Sequence, residues 1–346
     1  MTHIHILSRR TILKGAAAVP VAGLGLAALS RSAGAQNDPV NIGSKDFPEQ
    51  FILSNMFGQV LENAGISVNL DNLNLGGTNI AHTALVEGDI DLYAEYTGTA
   101  FTNPSIFAQT FTPDIAGPAA ASTPAAGATP LVTDGTPAAG GDAFSPADLA
   151  VYDYIVTAYA ELGLVALDET PFNNNQAIAV SRQFSAENGI TTLTQLADWG
   201  VDNDITMSGP VDFEDRPDGL AGLRSLYGGG FENATINGVD PGLKYDAFLA
   251  GDANVVLAFG TDAEIVQFDL VVLQDDLGLF PPGHAAPVVR QDAIDAYPNI
   301  PDLINPVIAL LTTEAMLALN SAVVTDGGDP ADVSRQFLVD SGIITG

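Results

Sequence analysis

The segment from Asn41 to Thr99 constrains the fold more than any other part of this 346-residue chain. Short apolar runs alternate in it with amphipathic stretches, which predicts a strand–helix–strand–helix–strand order. The predicted strands lead to Lys45, to the Gly76-Gly77-Thr78 turn and to Tyr96. Ligands of open α/β sheets lie at the carboxyl ends of the strands, so we expect a cation, backbone N–H groups and an aromatic ring to meet there. The segment therefore predicts a small-molecule binding site.

The chain is strongly acidic, with 42 acidic residues against 11 basic ones and a formal net charge of −31. Four of the bases lie within the first 35 residues, so the remainder of the chain carries seven. Such a surface repels nucleic acid and anionic lipid, and we expect neither as a partner. Adaptation to salt or genome composition would explain the acidity without a functional role. The scarcity of bases nevertheless makes Lys45 and Arg216 candidates for ligand binding.

The chain contains no cysteine and four histidines. The missing cysteine excludes disulfides, thiolate catalysis, cysteine-based zinc sites and a lipid anchor of the bacterial type. With so few histidines, a histidine-rich metal site is not expected either, and we predict no metal and no cofactor. The sequence also has no nucleophile elbow, zinc motif or phosphate loop, so we do not expect an enzyme.

The N-terminus resembles an export signal. The stretch SRRTILK, residues 8–14, is typical of the twin-arginine route, and an apolar run from Gly15 to Leu29 follows it. Ala33-Gly34-Ala35 then provides small residues for cleavage before Gln36. A membrane anchor is the alternative, but Pro20 interrupts the run and a bilayer span needs about 20 apolar residues. We therefore predict that residues 1–35 are removed and that the protein acts in the periplasm or another extracytoplasmic space.

Composition changes sharply between residues 112 and 143, which are almost all Ala, Gly, Pro, Thr and Ser. A segment of this kind buries too little apolar area to offset its ordering entropy, and we expect a surface loop. A docking arm or a glycosylated stalk is the alternative. After it, Ser145 and Pro146 predict a helix start and Gly163 its end. Strands and helices alternate along the rest of the chain, which predicts an α/β fold.

A weak internal repeat connects two parts of the sequence. The helix–glycine–strand pattern of Ala84–Asp89, ending at Tyr96, returns in Ala247–Asp252, ending at Phe259. The matched positions are 163 residues apart throughout. Two lobes that each offer an aromatic ring at the same kind of strand end would form a cleft between them.

Six motifs carry a family resemblance: GSKDFPEQ, LGGTNIAH, GDIDLYAEYTGTA, PFNNNQAIAV, DRPDGLAGL and DLVVLQDDLGLFPPGHAAPVVR. In this order they resemble the substrate-binding proteins of quaternary-amine ABC transporters, which bind glycine betaine, choline or proline betaine. The resemblance runs from about Val40 to the C-terminus and leaves the insert 112–143 unmatched. It implies an α/β, two-lobed periplasmic-binding-protein fold of type II, with two crossover strands and an interlobe ligand cleft. Lobe 1 would comprise residues 36–173 and 276–346, and lobe 2 residues 174–275.

The resemblance also implies a set of ligand-binding positions. Lys45, Tyr96, Thr99 and Arg216 match family residues, with Arg216 suited to a ligand carboxylate. The other four positions depart from the family, in which tyrosines cage a trimethylammonium group: these are Gln176, Phe259, Gly283 and His284. Phe259 keeps a ring face, Gln176 and Gly283 replace tyrosines, and His284 replaces an asparagine. A ligand with a primary or secondary amine, or an amide, would suit Gln176 and His284 better.

The sequence therefore predicts an exported, monomeric solute-binding protein that delivers a small zwitterionic compatible solute to an ABC permease. A glycine betaine-like or choline-like ligand follows from the resemblance. The same scaffold with a changed ligand, such as an amino acid, is the main alternative. A sensor or scaffold domain that acts through the insert 112–143 is another, and so is a hydrolase on the same fold.

Overall fold

The computed structural model describes residues 38–111, 146–239 and 243–345. The predicted signal peptide, 1–35, and the predicted insert, 112–143, lie outside the described residues. Within the described ranges no single helix is long and apolar enough to cross a membrane. Two consecutive helices, Ile300–Ile308 and Thr313–Val324, are together long and apolar enough for a membrane span, but they are bent by 90° relative to each other.

Ten strands occur in the described residues. In chain order they are β1 (Val40–Gly43), β2 (Val68–Asn72), β3 (Leu92–Tyr96), β4 (Leu164–Ala166), β5 (Gln176–Ser181), β6 (Thr206–Gly209), β7 (Thr235–Gly238), β8 (Val255–Phe259), β9 (Leu270–Val272) and β10 (Ala285–Arg290).

Thirteen α-helices lie between and after these strands in the described ranges, with two short 3₁₀-helices at Val211–Glu214 and Gly229–Asn233. The α-helices are α1 (Pro48–Asn63), α2 (Thr78–Glu87), α3 (Thr97–Thr102), α4 (Pro146–Glu161), α5 (Arg182–Asn188), α6 (Leu193–Trp199), α7 (Leu220–Leu226), α8 (Lys244–Leu249), α9 (Ala263–Gln267), α10 (Gln291–Ala296), α11 (Ile300–Ile308), α12 (Thr313–Val324) and α13 (Pro330–Asp340).

The strands form two five-stranded sheets with the same arrangement. The first sheet has the order β2-β1-β3-β10-β4 and the second the order β7-β6-β8-β5-β9. In each sheet the central strand, β3 or β8, is parallel to one neighbour and antiparallel to the other. The parallel pairing of β1 with β2 and β3 confirms the order expected for Asn41–Thr99.

The internal repeat marks corresponding places in the two sheets. Gly88, with φ 86°, ends α2 before the central strand β3, and Gly251, with φ 85°, follows α8 before the central strand β8. Such left-handed backbone favours glycine because it has no Cβ. The two central strands then end in an aromatic residue, Tyr96 and Phe259.

Both faces of the first sheet are covered. Along β3, Leu92 and Ala94 pack into one core with α1 and the C-terminal helices, whereas Tyr93 packs into another with α2 and α4. Successive side chains of a strand point to opposite faces of the sheet, so neighbouring residues of β3 pack into different cores. This explains why every residue of β3 is buried.

Helix α12 connects the hydrophobic cores of the two sheets. Its Met316 and Leu319 belong to the core over the first sheet, and Leu317 belongs to the core under the second. A C-terminal helix thus packs on both sheets at the place where they join. The chain passes from the first sheet to the second between β4 and β5 and returns between β9 and β10, and a bridge between Asn173 and His284 pairs the two crossover segments.

Candidate functional site

The eight residues expected at the site fall into two sets by exposure. Four are partly or largely accessible: Thr99, Gln176, Arg216 and Phe259. Four are buried: Lys45, Tyr96, Gly283 and His284.

Lys45 is paired inside the protein. It follows β1, is 3% exposed, and its Nζ lies 2.5 Å from Glu95 Oε1 on β3. The same ammonium lies 4.9 Å from the centroid of the Tyr96 ring. Glu95 also accepts hydrogen bonds from the Tyr93 hydroxyl and the Tyr96 backbone N–H. Glu95 is held by these hydrogen bonds and in turn holds Lys45 in place. Its negative charge compensates the charge of Lys45 before any ligand binds.

Tyr96 is 5% exposed and its ring is enclosed by neighbouring side chains. Its hydroxyl donates to Glu49 Oε1 at 2.6 Å, and the Phe47 ring stacks on it with centroids 6.1 Å apart. Burial raises the pKa of Tyr96 well above its usual value, so the hydroxyl stays a donor at neutral pH. The ring serves the packing of the first lobe and is not an open face.

Glu49 makes four side-chain hydrogen bonds in this region, although no pattern in the sequence indicated it as a site residue. Its Oε1 accepts from the Tyr96 hydroxyl and from Asn174 Nδ2 at 2.9 Å. Its Oε2 accepts from the Thr261 hydroxyl at 2.6 Å and from Asn320 Nδ2 at 2.8 Å. Burial raises the pKa of Glu49 despite these four hydrogen bonds. The carboxylate thus joins α1, a crossover, the loop after β8 and α12.

Phe259 presents a ring at the end of β8. It lies opposite Gln176 in the register of β8 with β5 and is 42% exposed. The ammonium of Lys244 lies 5.0 Å from its centroid and 4.9 Å from the centroid of Tyr245. Lys244 Nζ donates to Asp262 Oδ2 at 2.9 Å. A lysine that the sequence analysis did not single out thus lies over the accessible ring.

Arg216 lies beside Gln176, and a carboxylate joins them. The Nε of Arg216 donates to Asp218 Oδ1 at 2.9 Å and its second terminal nitrogen to Oδ2 at 2.6 Å. Gln176 Nε2 donates to the same Oδ2 at 2.8 Å. Partial burial alone raises the pKa of Asp218, but the Arg216 guanidinium lowers it below its usual value. The Arg216 side chain is 41% exposed, so a ligand carboxylate can reach it alongside Asp218.

Gly283 packs against the crossover backbone. Its N–H donates to Asn173 Oδ1 at 2.7 Å. A Cβ at this position would lie 2.5 Å from Asn174 C and from Asn175 N, closer than side chains approach backbone atoms. The structure therefore has no room for the tyrosine of the resemblance here, and Gly283 contributes close packing.

His284 lies under the first crossover. Its Nδ1–H donates to the carbonyl oxygens of Thr170 and Phe172, each at 2.9 Å, and its Nε2 lies 3.7 Å from Asp148 Oδ2. Burial lowers the pKa of His284, but Asp148 and Glu169 raise it by more, so the net shift is upward. His284 thus belongs to a buried titrating cluster next to α4.

Thr99 lies in α3, which packs against the return crossover. The backbone N–H of its neighbour Gly98 donates to Pro282 O at 2.7 Å, and a Cβ on Gly98 would lie 2.2 Å from the same oxygen. This close approach brings the first turn of α3, with Thr99 partly exposed, next to the crossover. Among the described residues no group of three or more histidine, aspartate or glutamate side chains is placed to hold a metal ion.

Two sheets joined by paired crossovers, with polar and aromatic side chains at the ends of the central strands, define a two-lobed solute-binding protein. The chain belongs to the family described as the substrate-binding domain of ABC-type glycine betaine transport systems, whose profile matches residues 38–340. The family consists of transport proteins, not of enzymes, and substrate-binding proteins of ABC importers act outside the cytoplasm.

Named relatives agree with this family. The chain is 29% identical over 311 residues to the glycine-betaine-binding protein of Pseudomonas aeruginosa, covering 88% of each chain. It is 27% identical to the glycine betaine-binding protein YehZ of Escherichia coli, covering 88% of this chain and 91% of that one. It is also 28% identical over 304 residues to the Helicobacter pylori ergothioneine transport permease/ergothioneine binding protein EgtU, but spans about half of it, 48%.

Solved structures confirm the two-lobed α/β fold expected from the sequence. A glycine betaine/carnitine/choline ABC transporter structure superposes with a TM-score of 0.71 at 25% identity, covering 88% of this chain and 99% of that one. Apo YehZ from Escherichia coli gives a TM-score of 0.67 at the same identity and coverage. Lactococcal OpuAC complexed with glycine betaine gives 0.52 at 11% identity, covering 88% and 97%, and supports the fold alone.

Proposed function

We propose that this protein captures a small zwitterionic solute between its two lobes and delivers it to a membrane permease. The observation that carries the proposal is the hydrogen-bonded path from Tyr96 through Glu49 to Thr261. It brings the end of β3 together with the end of β8, where Phe259 presents its ring. Family membership supports the transport role, because the family supplies solutes to ABC permeases.

A zwitterion fits the charges at these strand ends. The partly exposed guanidinium of Arg216 can bind a carboxylate with two parallel hydrogen bonds. The exposed ring of Phe259 can attract a cationic group. Relatives are named for glycine betaine, carnitine and ergothioneine, each of which combines a carboxylate with a quaternary nitrogen. Closure of the lobes around such a ligand would exclude water and strengthen its ionic contacts.

The same scaffold with a changed ligand is the second candidate. Two positions that carry cage tyrosines in the resembling family are Gln176 and Gly283 here, and the backbone leaves no space for a side chain at Gly283. The ligand would then be an amino acid or another solute with N–H groups, and not a trimethylammonium compound.

The proposal also covers the export route of the protein, the bounds of its two lobes and its oligomeric state. The stretch SRRTILK supports export by the twin-arginine route and removal of residues 1–35. We place lobe 1 in residues 36–173 and 276–346 and lobe 2 in residues 174–275. The absence of cysteine supports a free, non-anchored protein, and we expect a monomer that contacts its permease in the membrane.

A thermal-shift screen of the protein from Gln36 onward tests the proposal. The compounds are glycine betaine, choline, carnitine, proline, ectoine and a set of amino acids. A ligand that binds only the folded state at 100 times its Kd adds about 2.7 kcal/mol to the stability, so binding raises the melting temperature. At least one zwitterionic compound should do so. If none of them changes the melting temperature at millimolar concentration, the proposed class of ligand is wrong.

Deletion of residues 112–143 separates solute binding from a scaffold role. None of the six motifs of the family resemblance lies in the insert, so the deletion variant should keep the thermal shift of the full protein. A shift that disappears while the variant remains folded would favour the sensor or scaffold alternative.

A further inference from the structure

We infer that Lys244, together with the crossover amides of Asn174 and Gln176, makes this site select a solute that carries N–H groups over a trimethylammonium compound. The inference rests on the proposed function, because it assumes that a zwitterionic solute binds at the ends of the central strands. It deepens that proposal by naming the chemistry of the ligand nitrogen.

The first observation is that both strand-end rings already hold an ammonium group. Lys45 Nζ lies 4.9 Å from the centroid of Tyr96 and Lys244 Nζ lies 5.0 Å from the centroid of Phe259. After residue 14 these are the only lysines in the sequence. Each has a carboxylate partner, Glu95 at 2.5 Å and Asp262 at 2.9 Å. The two remaining lysines thus lie on the rings at the ends of the two central strands, and of these rings only Phe259 is accessible to a ligand.

Like charges make these faces poor cages for another cation. A ring face attracts a cation through its negative electrostatic potential, and Lys244 already uses that attraction at Phe259. A trimethylammonium group beside Lys244 would be repelled by its charge and has no N–H to share Asp262 with it. A ligand carboxylate in the same place would instead be attracted by the lysine. The charge of Lys244 opposes any cation at the accessible ring, and only a nitrogen with N–H groups can offset this by sharing the Asp262 carboxylate.

The second observation is a pair of unused acceptors on the first crossover. Asn174 Oδ1 and Gln176 Oε1 are buried and accept no hydrogen bond from any residue that the structure describes. The orientation of both amides follows from their NH₂ groups, which donate to carboxylates: Asn174 to Glu49 and Gln176 to Asp218. Two positions apart on one segment, the two oxygens offer acceptors to a donor. A primary or secondary amine can supply it and a trimethylammonium cannot.

A methylation series tests this inference while keeping the carboxylate constant. Glycine, sarcosine, dimethylglycine and glycine betaine, and in parallel proline and proline betaine, are titrated calorimetrically into the protein from Gln36 onward. We expect affinity to fall as N–H groups are replaced, with the betaine of each series at least about tenfold weaker than its best N–H member, roughly one cation–π or hydrogen-bond contact.

Substitution of Lys244 should change this order. In Lys244→Met the Phe259 ring is released and the Asp262 carboxylate remains, so betaines should bind about tenfold more tightly than to the unmodified protein. Lys244→Arg keeps the cation and should keep the original order. Arg182→Gln, which removes an exposed cation paired with Asp269, is the matched control and should change nothing. Circular dichroism of each variant shows that it is folded.

The outcomes separate the two proposals. Tight binding of a betaine to the unmodified protein, at or above the affinity of its N–H relatives, overturns this inference and leaves the proposed function standing. An unchanged order in folded Lys244→Met also overturns it. If no compound binds the protein or any variant, the proposed function fails and this inference fails with it.

Discussion

The Thr261 hydroxyl donates a hydrogen bond to Glu49 Oε2 at 2.6 Å, which joins the loop after β8 to the first turn of α1. Among the residues that the structure describes, no cation makes a hydrogen bond to the buried Glu49, so its charge depends on neutral donors from several parts of the chain. Asn320 of α12 donates to the same oxygen and also to the Thr261 carbonyl. The ends of the two central strands are thereby connected through one carboxylate.

Thr261→Val should therefore destabilise the protein. Valine keeps the volume but removes a donor from a buried carboxylate, which costs about 1–3 kcal/mol. Urea unfolding of the variant measures the loss. Thr235→Val, at an exposed position of β7, is the control and should stay within about 0.5 kcal/mol of the parent protein. Equal stability of the two variants would show that the contact between Thr261 and Glu49 does not contribute.

The pair of Lys45 and Glu95 should behave as a structural ion pair. Lys45→Met leaves Glu95 buried without its partner, and breaking a buried pair from one side costs about 3–5 kcal/mol. The double variant Lys45→Met with Glu95→Gln should recover a large part of that loss. Chemical unfolding of the two single variants and the double variant completes the cycle. If Lys45→Met alone is harmless to stability and abolishes solute binding, Lys45 is a ligand contact instead.

Glu169 should make stability depend on pH. Its pKa is raised from 4.5 to about 7 in total, because burial raises it, His284 lowers it, and Asp148 and Asp153 of α4 raise it. The folded protein therefore binds more protons than the unfolded chain between these values, so this contribution to stability is present below pH 4.5 and is lost as the pH rises towards 7. His284, whose pKa is raised, acts in the same direction above pH 6.5.

Melting temperatures of the parent protein and Glu169→Gln between pH 4.5 and 8 test this prediction. At pH 4.5 Glu169→Gln should be as stable as the parent protein. At pH 8 its free energy of unfolding should be higher by about 1–3 kcal/mol, which raises its melting temperature. Glu62→Gln removes the same charge from an exposed position and controls for the overall negative charge. If Glu169→Gln gains no more stability at pH 8 than Glu62→Gln does, the raised pKa of Glu169 is wrong.

Gly283→Ala should be strongly destabilising. Its Cβ would lie 2.5 Å from crossover backbone atoms that cannot move independently, and forced overpacking costs about 1–3 kcal/mol. Gly77→Ala is the matched control, because a Cβ there has nothing within 4 Å and the backbone φ is −74°. Thermal unfolding compares them. If Gly283→Ala is as stable as Gly77→Ala, the crossover is looser than the structure shows, and a tyrosine could be restored there.

Much of the fold could be predicted because it depends on local patterns. The helix expected to start at Pro146 and stop at Gly163 is α4, Pro146–Glu161, and the aromatic residues expected at two equivalent strand ends are there. The boundaries of a short strand such as β4, Leu164–Ala166, are less predictable. Such boundaries depend on hydrogen bonds to β10, which a pattern of residues does not contain.

The site was less predictable because its contacts are long-range. Position at strand ends was enough to select Lys45, but its partner Glu95 lies inside an apolar strand where a charge is not expected. Gly283 was predicted to line the ligand site, which stays a prediction, but the close approach of the crossover backbone to it could not be read from the sequence. Lys244 could have been found from the scarcity of lysine, yet nothing in the sequence brings it to Phe259.

Calorimetric titration of the best solute from the screen into the protein, Arg216→Ala and Arg182→Ala tests whether the solute binds at Arg216. Both arginines belong to the second sheet region and pair with an aspartate, but only Arg216 lies beside the proposed ligand position. We expect one solute per chain, with an affinity at least about tenfold weaker in Arg216→Ala, because a charged hydrogen bond is lost, and unchanged in Arg182→Ala. Equal affinity in all three proteins would contradict capture of the solute between the lobes at Arg216.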